Sequence, residues 1–114
     1  MTEKLIDPQA AVDFMIAKSK AYAQAEANKV YMEELRKTIK AEQMIEAEQM
    51  GHKTAAIQER EAYASLRYKE HLKALQHAVE VREELRWMLI AAQARIEVWR
   101  SQEASNRAEG KATI

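Results

Sequence analysis

The stretch RWMLIAAQARIEVWR, residues 86–100, places two tryptophans, five large aliphatic or methionine side chains and three arginines in about four turns of a predicted helix. Its first part, Trp87 to Ala92, is apolar around most of the helix circumference. A surface helix of a globular domain carries a single apolar stripe, so this segment needs cover on more than one side. The stretch therefore predicts a helical fold in which a neighbouring helix covers one side and a second chain covers another.

The composition supports long helices. The 114 residues include only two glycines, one proline and no cysteine, and lysine plus arginine balance aspartate plus glutamate at 18 each. Few turn-forming residues and many good helix formers indicate an all-α fold. The lack of cysteine excludes disulfides and thiolate chemistry, and zero net charge argues against a protein that coats nucleic acid.

The first long helix is predicted to begin at Asp7-Pro8, where a carboxylate can cap free N–H groups and proline suits the first helical position. No breaker follows until Gly51, which suits a left-handed helix end. The spacing predicts one apolar face along this helix, consisting of Phe14, Ala21, Ala25, Asn28, Met32, Leu35 and Ile39. Within it, Asn28 is either a buried amide that fixes register or an exposed residue.

A short helix and a second long helix are predicted after Gly51. Thr54 is a candidate cap for a helix over 56–64, and Ser65 for the helix that follows. The apolar stripe of the second long helix consists of Tyr68, Leu72, Leu75 and Val79 and then, after a small phase shift, of Leu85, Leu89, Ala92, Ile96 and Trp99.

The predicted architecture is all-α, with two long antiparallel helices forming a hairpin, a short helix at the bend, and a dimeric helical bundle as the assembly. The expected organisation is an N-terminal extension over 1–7, a single helical-hairpin domain over 8–108 and a disordered tail over 109–114. The candidate oligomer interface consists of Trp87, Met88, Leu89, Ile90, Ile96 and Trp99.

The sequence predicts no catalytic residue, no cofactor and no metal site. His71 and His77 are six residues apart, so they lie on different sides of a helix and cannot share a metal as an i, i+4 pair would. Tyr68 and Ala74 occupy the positions where a di-metal helical bundle needs glutamate. The many carboxylates stand three or four residues from lysines and arginines, which is typical of a solvated helix face.

The strongest polar signal is the arginine content of the second long helix. From residue 86 onward, the sequence contains five basic residues but only three glutamates, with two tryptophans nearby. Arginine beside aromatic rings can hold single-stranded nucleic acid, and the alternative is that these arginines pair with carboxylates. The candidate nucleic-acid contacts are Arg86, Arg95, Arg100 and Arg107.

Residues 1–15 lack the apolar core of a secretory signal, and the longest apolar run is too short to span a bilayer. We therefore expect a soluble protein of the cytoplasm that does not enter membranes.

The segments EREAYAS (59–65), YKEHLKAL (68–75), AVEVREELRW (78–87) and AAQARIEVWRSQEASNRA (91–108) resemble a family of small helical proteins encoded by tailed phages and prophages, often near genes for single-strand annealing recombinases. The resemblance covers nearly the whole chain and is sharpest over 59–107. It implies a setting in the bacterial cytoplasm during phage infection and brings no catalytic residue with it.

Two functional hypotheses follow. The first is a non-enzymatic interaction protein, a homo-oligomer with a dimer favoured, that assists phage DNA recombination or replication by contacting a recombinase, a single-strand binding protein or, weakly, DNA. The second is a small inhibitor that binds a host defence or replication protein.

Overall fold

The structure is a computed structural model that describes residues 5–112. This part of the chain contains three α-helices and no strand: α1 (Pro8–Gln49), α2 (Ala55–Ala64) and α3 (Leu66–Ala112). The all-α prediction is confirmed. Residues 5–7 precede α1 without regular structure, and residues 1–4 of the predicted N-terminal extension lie outside the described part.

The ends of α1 form as the local sequence predicts. The Asp7 carboxylate accepts hydrogen bonds from the N–H groups of Gln9 and Ala10, at 3.0 and 3.1 Å. At the other end, Gly51 adopts φ +102°, and its N–H donates to the Glu48 carbonyl at 3.1 Å. The N–H of His52 donates to the Ala47 carbonyl, also at 3.1 Å. This pair of bonds is the Schellman arrangement, which favours glycine at the left-handed position.

Both predicted caps around α2 are present. The Thr54 hydroxyl accepts the N–H of Ile57 at 3.2 Å, and the Ser65 hydroxyl accepts the N–H of Tyr68 at the same distance. Caps of this kind each contribute about 1 kcal/mol. The chain therefore passes from α2 to α3 through the single non-helical residue Ser65.

The C-terminal end of α3 lies beyond the predicted boundary. The helix continues through 109–112, which the sequence assigned to the disordered tail. Alanine, glutamate and lysine in this segment are good helix formers, and one glycine in a helix costs only about 1 kcal/mol. The last two residues of the predicted tail, 113–114, lie outside the described part.

The chain divides into two compact units. The central unit runs from Ala23 to Glu83, and the terminal unit combines the residues up to Tyr22 with those from Glu84 onward. In the central unit the buried apolar residues are Ala25, Ile39, Ala47, Ala62, Tyr68 and Ala78. In the terminal unit they are Ala11 and Ala92. The interior thus consists mostly of alanines, which allow helices to approach closely.

The buried side of α3 follows a regular heptad pattern that differs from the predicted stripe. We call it the inner α3 row: Tyr68, His71, Leu75, Ala78, Arg82, Leu85, Leu89, Ala92, Ile96 and Trp99, all buried or half-buried. Its spacings alternate three and four without interruption, as in coiled coils. The predicted phase shift after Val79 is absent, because the row includes two polar residues, His71 and Arg82. The predicted member Leu72 is exposed.

The predicted face of α1 is correct in most positions. Ala25 and Ile39 are buried, and Phe14, Ala21, Met32 and Leu35 are half-buried. Asn28 is exposed in the single chain, so its amide does not set the register of α1 within that chain. The neighbouring Lys29 is half-buried instead, because a lysine stem can lie along apolar surface while its ammonium group reaches water. The Lys29 ammonium pairs with the Glu33 carboxylate at 3.7 Å.

Candidate interaction surface

The six predicted interface residues lie on two sides of α3. Leu89, Ile96 and Trp99 belong to the inner α3 row and are half-buried. The other three are exposed: Trp87 by 60 %, Ile90 by 40 % and Met88 by 38 %. The helical period places Trp87 opposite Leu89, since these two residues are two apart in the helix. Trp87, Met88 and Ile90 are therefore the exposed members of the candidate interface, which as a whole stays a prediction.

The exposed side of α3 in the terminal unit contains a second apolar row. We call it the outer α3 row: Trp87, Ala91, Ala94 and Val98, all exposed. The spacings of four, three and four keep these residues on one helix face. Val98 is 48 % exposed, and Ile90 flanks the row. Hydrophobic periodicity does not reveal this row as a unit, because two of its four members are alanines.

The first turns of α1 carry exposed apolar side chains in the same unit. Ile16 is 69 % exposed and Val12 is 36 % exposed, and their spacing of four places them on one helix face. Phe14 instead lines a cleft of about 460 Å³ with Ala11, Ala92 and Arg95. Both helices of the terminal unit therefore have an inner side facing this cleft and an exposed apolar side.

The four arginines predicted to contact nucleic acid do not form one surface. Arg86, Arg100 and Arg107 are separated by multiples of seven residues and share a helix face, whereas Arg95 lines the cleft. The Arg100 guanidinium donates to Glu97 at 3.2 Å, and Arg107 donates to the Glu103 carbonyl at 3.4 Å. Arg86 lies over the Trp87 ring, 5.3 Å from its centroid. The contacts of Arg100 and Arg107 are thus made within α3 itself.

In the central unit, polar side chains of the inner α3 row bind α1. His71 is 7 % exposed, and its Nε2–H donates to the Met32 carbonyl at 2.7 Å. The Arg82 guanidinium contacts the carboxylates of Glu26 and Glu83. A buried polar group that is satisfied in this way fixes the register of two helices. Both residues are absent from the predicted stripe, because that stripe was defined by apolar side chains alone.

A second polar cluster joins α1, α2 and the start of α3. The Lys40 ammonium contacts Glu59 at 3.1 Å and lies 4.8 Å from the centroid of the Tyr63 ring. Hydrogen bonding to Tyr63 first, and to Glu59 second, raises the pKa of Lys40 above its ordinary value of 10.5. Tyr63 also packs edge-on against Tyr68 with ring centroids 5.2 Å apart, and Arg67 pairs with Glu42. These contacts fix the ends of the helices around α2.

Within 5–112, no three histidine or carboxylate side chains lie close enough together to hold a metal ion. No helix in this range has a segment long and apolar enough to cross a bilayer. Comparison with protein-family models, with curated proteins and with solved structures finds no match.

Proposed function

We propose that the chain is a non-enzymatic helical interaction protein that assists phage DNA recombination or replication by binding a protein partner. It acts as a homo-oligomer, with a dimer favoured. The observation that carries the proposal is the exposure of Trp87, Ile90 and Val98 on one part of α3. Trp87 and Ile90 are one helical turn apart, and large apolar side chains that lie together on a surface mark an interaction site. Tryptophan strengthens the argument, because it is enriched among the residues that dominate binding energy at interfaces.

The proposal includes a helical hairpin. Within the central unit, α1 and α3 contact each other in reverse order along the chain: Glu42 with Arg67, Met32 with His71, and Glu26 with Arg82. Antiparallel helices joined at one end give this order. The polar contacts hold the two helices in register and leave the exposed apolar residues of α3 available to a partner.

The phage setting rests on the resemblance of segments 59–65, 68–75, 78–87 and 91–108 to small phage proteins encoded near recombinase genes. It places the protein in the bacterial cytoplasm and makes a recombinase or a single-strand binding protein the proposed partner. Weak DNA contact through the shared face of Arg86, Arg100 and Arg107 is an accessory role. Zero net charge and the Arg100–Glu97 pair favour the protein partner over DNA as the main contact.

The test is affinity purification of the tagged chain from phage-infected cells, with the Trp87→Ala variant in parallel. We expect a phage recombinase or single-strand binding protein to co-purify with the wild-type chain and to be lost with Trp87→Ala. Tyr31→Ala is the matched control, because Tyr31 is an exposed aromatic of α1 in the central unit. Equal recovery with Trp87→Ala would show that the partner binds elsewhere.

Binding to single- and double-stranded oligonucleotides at low salt tests the DNA role. If the chain binds neither and captures no recombination protein, the proposal is wrong. Recovery of a host defence component alone would replace it with the inhibitor hypothesis.

A further inference from the structure

We propose that the cleft at the start of α1 binds an acidic peptide segment of the protein partner, with a carboxylate of that segment paired to Arg95 and a neighbouring apolar side chain packed on Phe14. The inference rests on the proposed function, because it names the feature of the partner that is recognised. All residues that line the cleft belong to the terminal unit, and its volume is about 460 Å³. Ligand-binding clefts in proteins commonly measure roughly 300 to 1,000 Å³.

Most of the cleft lining is apolar. It comes from the segment before α1, from the first turns of α1 and from one turn of α3, and it consists of Leu5, Ile6, Ala10, Ala11, Phe14 and Ala92. Phe14 is the largest of these side chains, and it is half-buried in the chain as it stands. An apolar side chain of a ligand would therefore remove apolar surface on both sides from water, which favours binding.

Arg95 is the positive charge of the cleft. It is exposed, and its guanidinium makes neither an ion pair nor a hydrogen bond with any other described residue. Arg100 of the same unit, by contrast, pairs with Glu97 at 3.2 Å. The planar guanidinium group binds a carboxylate through two parallel hydrogen bonds. Arg95 is therefore available to a carboxylate from another molecule.

Asp7 is the negative charge of the cleft and is already bound within the chain. Its Oδ1 accepts the N–H groups of Gln9 and Ala10, and the positive end of the α1 dipole offsets its charge. Asp7 and Arg95 both line the described part of the cleft, yet they form no ion pair with each other. The charge that selects a ligand is therefore that of Arg95, and it selects an anion.

The position of Arg95 favours a protein as the source of that anion. Arg95 follows Ala91 by one helical turn, so the two residues are neighbours on α3. Ala91 belongs to the outer α3 row, whereas Ala92 is 5 % exposed and lines the cleft. A partner that covers Trp87 and Ile90 thus lies next to the guanidinium. Nucleic acid fits less well, because its binding depends on neutralising successive phosphates and this cleft supplies one cation.

The first experiment measures the binding of short peptides to the isotope-labelled full chain by NMR. The probes are acetylated, amidated peptides in which aspartate or glutamate stands beside phenylalanine or leucine, and the matched peptides carry asparagine or glutamine instead. We expect the acidic peptides to shift the amide signals of Ala11, Phe14 and Ala92. They should bind about ten-fold more tightly than the neutral peptides, the usual value of a hydrogen bond to a charged group. Equal affinity for both sets, or binding of octanoate without binding of any peptide, would overturn the inference.

Two pairs of variants locate the charge, and circular dichroism checks that each is folded. Arg95→Gln should remove the preference for acidic peptides, whereas Arg100→Gln, at an exposed position of α3 outside the cleft, should keep it. Ala10→Glu adds a carboxylate to the cleft and should weaken binding of acidic peptides, while glutamate suits the first turn of a helix. Ala17→Glu makes the same substitution at an exposed position of α1 outside the cleft and should bind like the wild type. An unchanged preference in Arg95→Gln would refute the assigned cation.

The second experiment repeats the affinity purification from phage-infected cells with Arg95→Gln. We expect this variant to recover less of the partner that the wild-type chain captures. Full recovery with Arg95→Gln, together with loss in Trp87→Ala, would refute the cleft as a partner site and leave the proposed function intact. Binding of acidic peptides in the cleft, without capture of any recombination protein by the wild-type chain, would refute the proposed function and leave the peptide site.

Discussion

The two units use the same helix in different ways. In the central unit, the inner α3 row binds α1 through polar groups: His71 to a main-chain carbonyl and Arg82 to Glu26. In the terminal unit, the inner side of the helices meets at a cleft lined by Ala11, Phe14 and Ala92, while Trp87 is exposed. The polar contacts between α1 and α3 thus lie in the central unit, whereas the exposed tryptophan lies in the terminal unit.

The largest loss of stability is expected from removing Tyr68, the buried aromatic residue of the central unit. Tyr68 is 9 % exposed and packs edge-on against Tyr63. Tyr68→Ala should lower the free energy of unfolding by about 3 to 4 kcal/mol, because a buried aromatic leaves a cavity and its partner ring loses its contact. Urea denaturation followed by circular dichroism measures the loss.

Tyr31→Ala provides the comparison for Tyr68→Ala. Its ring is 61 % exposed, so the expected change is below about 0.5 kcal/mol. Equal losses in the two variants would mean that the central unit does not depend on its buried aromatic.

A smaller loss of stability is expected from replacing Arg82. Its side chain is 19 % exposed and contacts two carboxylates. Arg82→Met should lower the free energy of unfolding by about 1 to 2 kcal/mol, since two carboxylates lose a charged donor and water screens part of the loss. Arg82→Lys should recover only part of it, because an ammonium group lacks the two-pronged geometry. The control is Arg100→Ala, which breaks an exposed pair with Glu97 and should cost below about 0.5 kcal/mol.

These differences show what the sequence could and could not predict. The boundaries at Pro8, Gly51, Thr54 and Ser65 were predictable because each depends on local backbone chemistry. The inner α3 row was predicted only where it is apolar. Histidine and arginine enter a buried row when a partner on another helix satisfies them, and hydrophobic periodicity does not report such partners. The outer α3 row was missed for a related reason, since alanines contribute little to an apolar pattern but permit close helix contact.

Removing the single hydrogen bond of His71 is expected to cause a still smaller loss of stability. His71→Leu keeps an apolar body in the row and removes the donor to the Met32 carbonyl. The free energy of unfolding should fall by about 1 kcal/mol, the usual net value of one hydrogen bond. His77→Leu, at an exposed position of the same helix, should change it less. Equal stability of wild type and His71→Leu would show that apolar packing alone sets the register of the central unit.

The smallest change in stability is expected from replacing Lys40, and this change depends on pH. Because Tyr63 and Glu59 raise the pKa of Lys40 in the folded chain above 10.5, the charged form is favoured by folding. Its stabilisation is therefore complete below the unfolded-state pKa and is lost as the pH rises through the higher folded-state pKa. The urea midpoints of wild type and Lys40→Met should differ by a constant amount from neutral pH to about pH 10, and the difference should shrink at higher pH. An NMR titration of the Lys40 side chain should give a higher midpoint in the folded chain than in urea, and both Tyr63→Phe and Glu59→Gln should lower it. A folded-state midpoint at or below that in urea would show that the contacts around α2 do not favour the charged lysine.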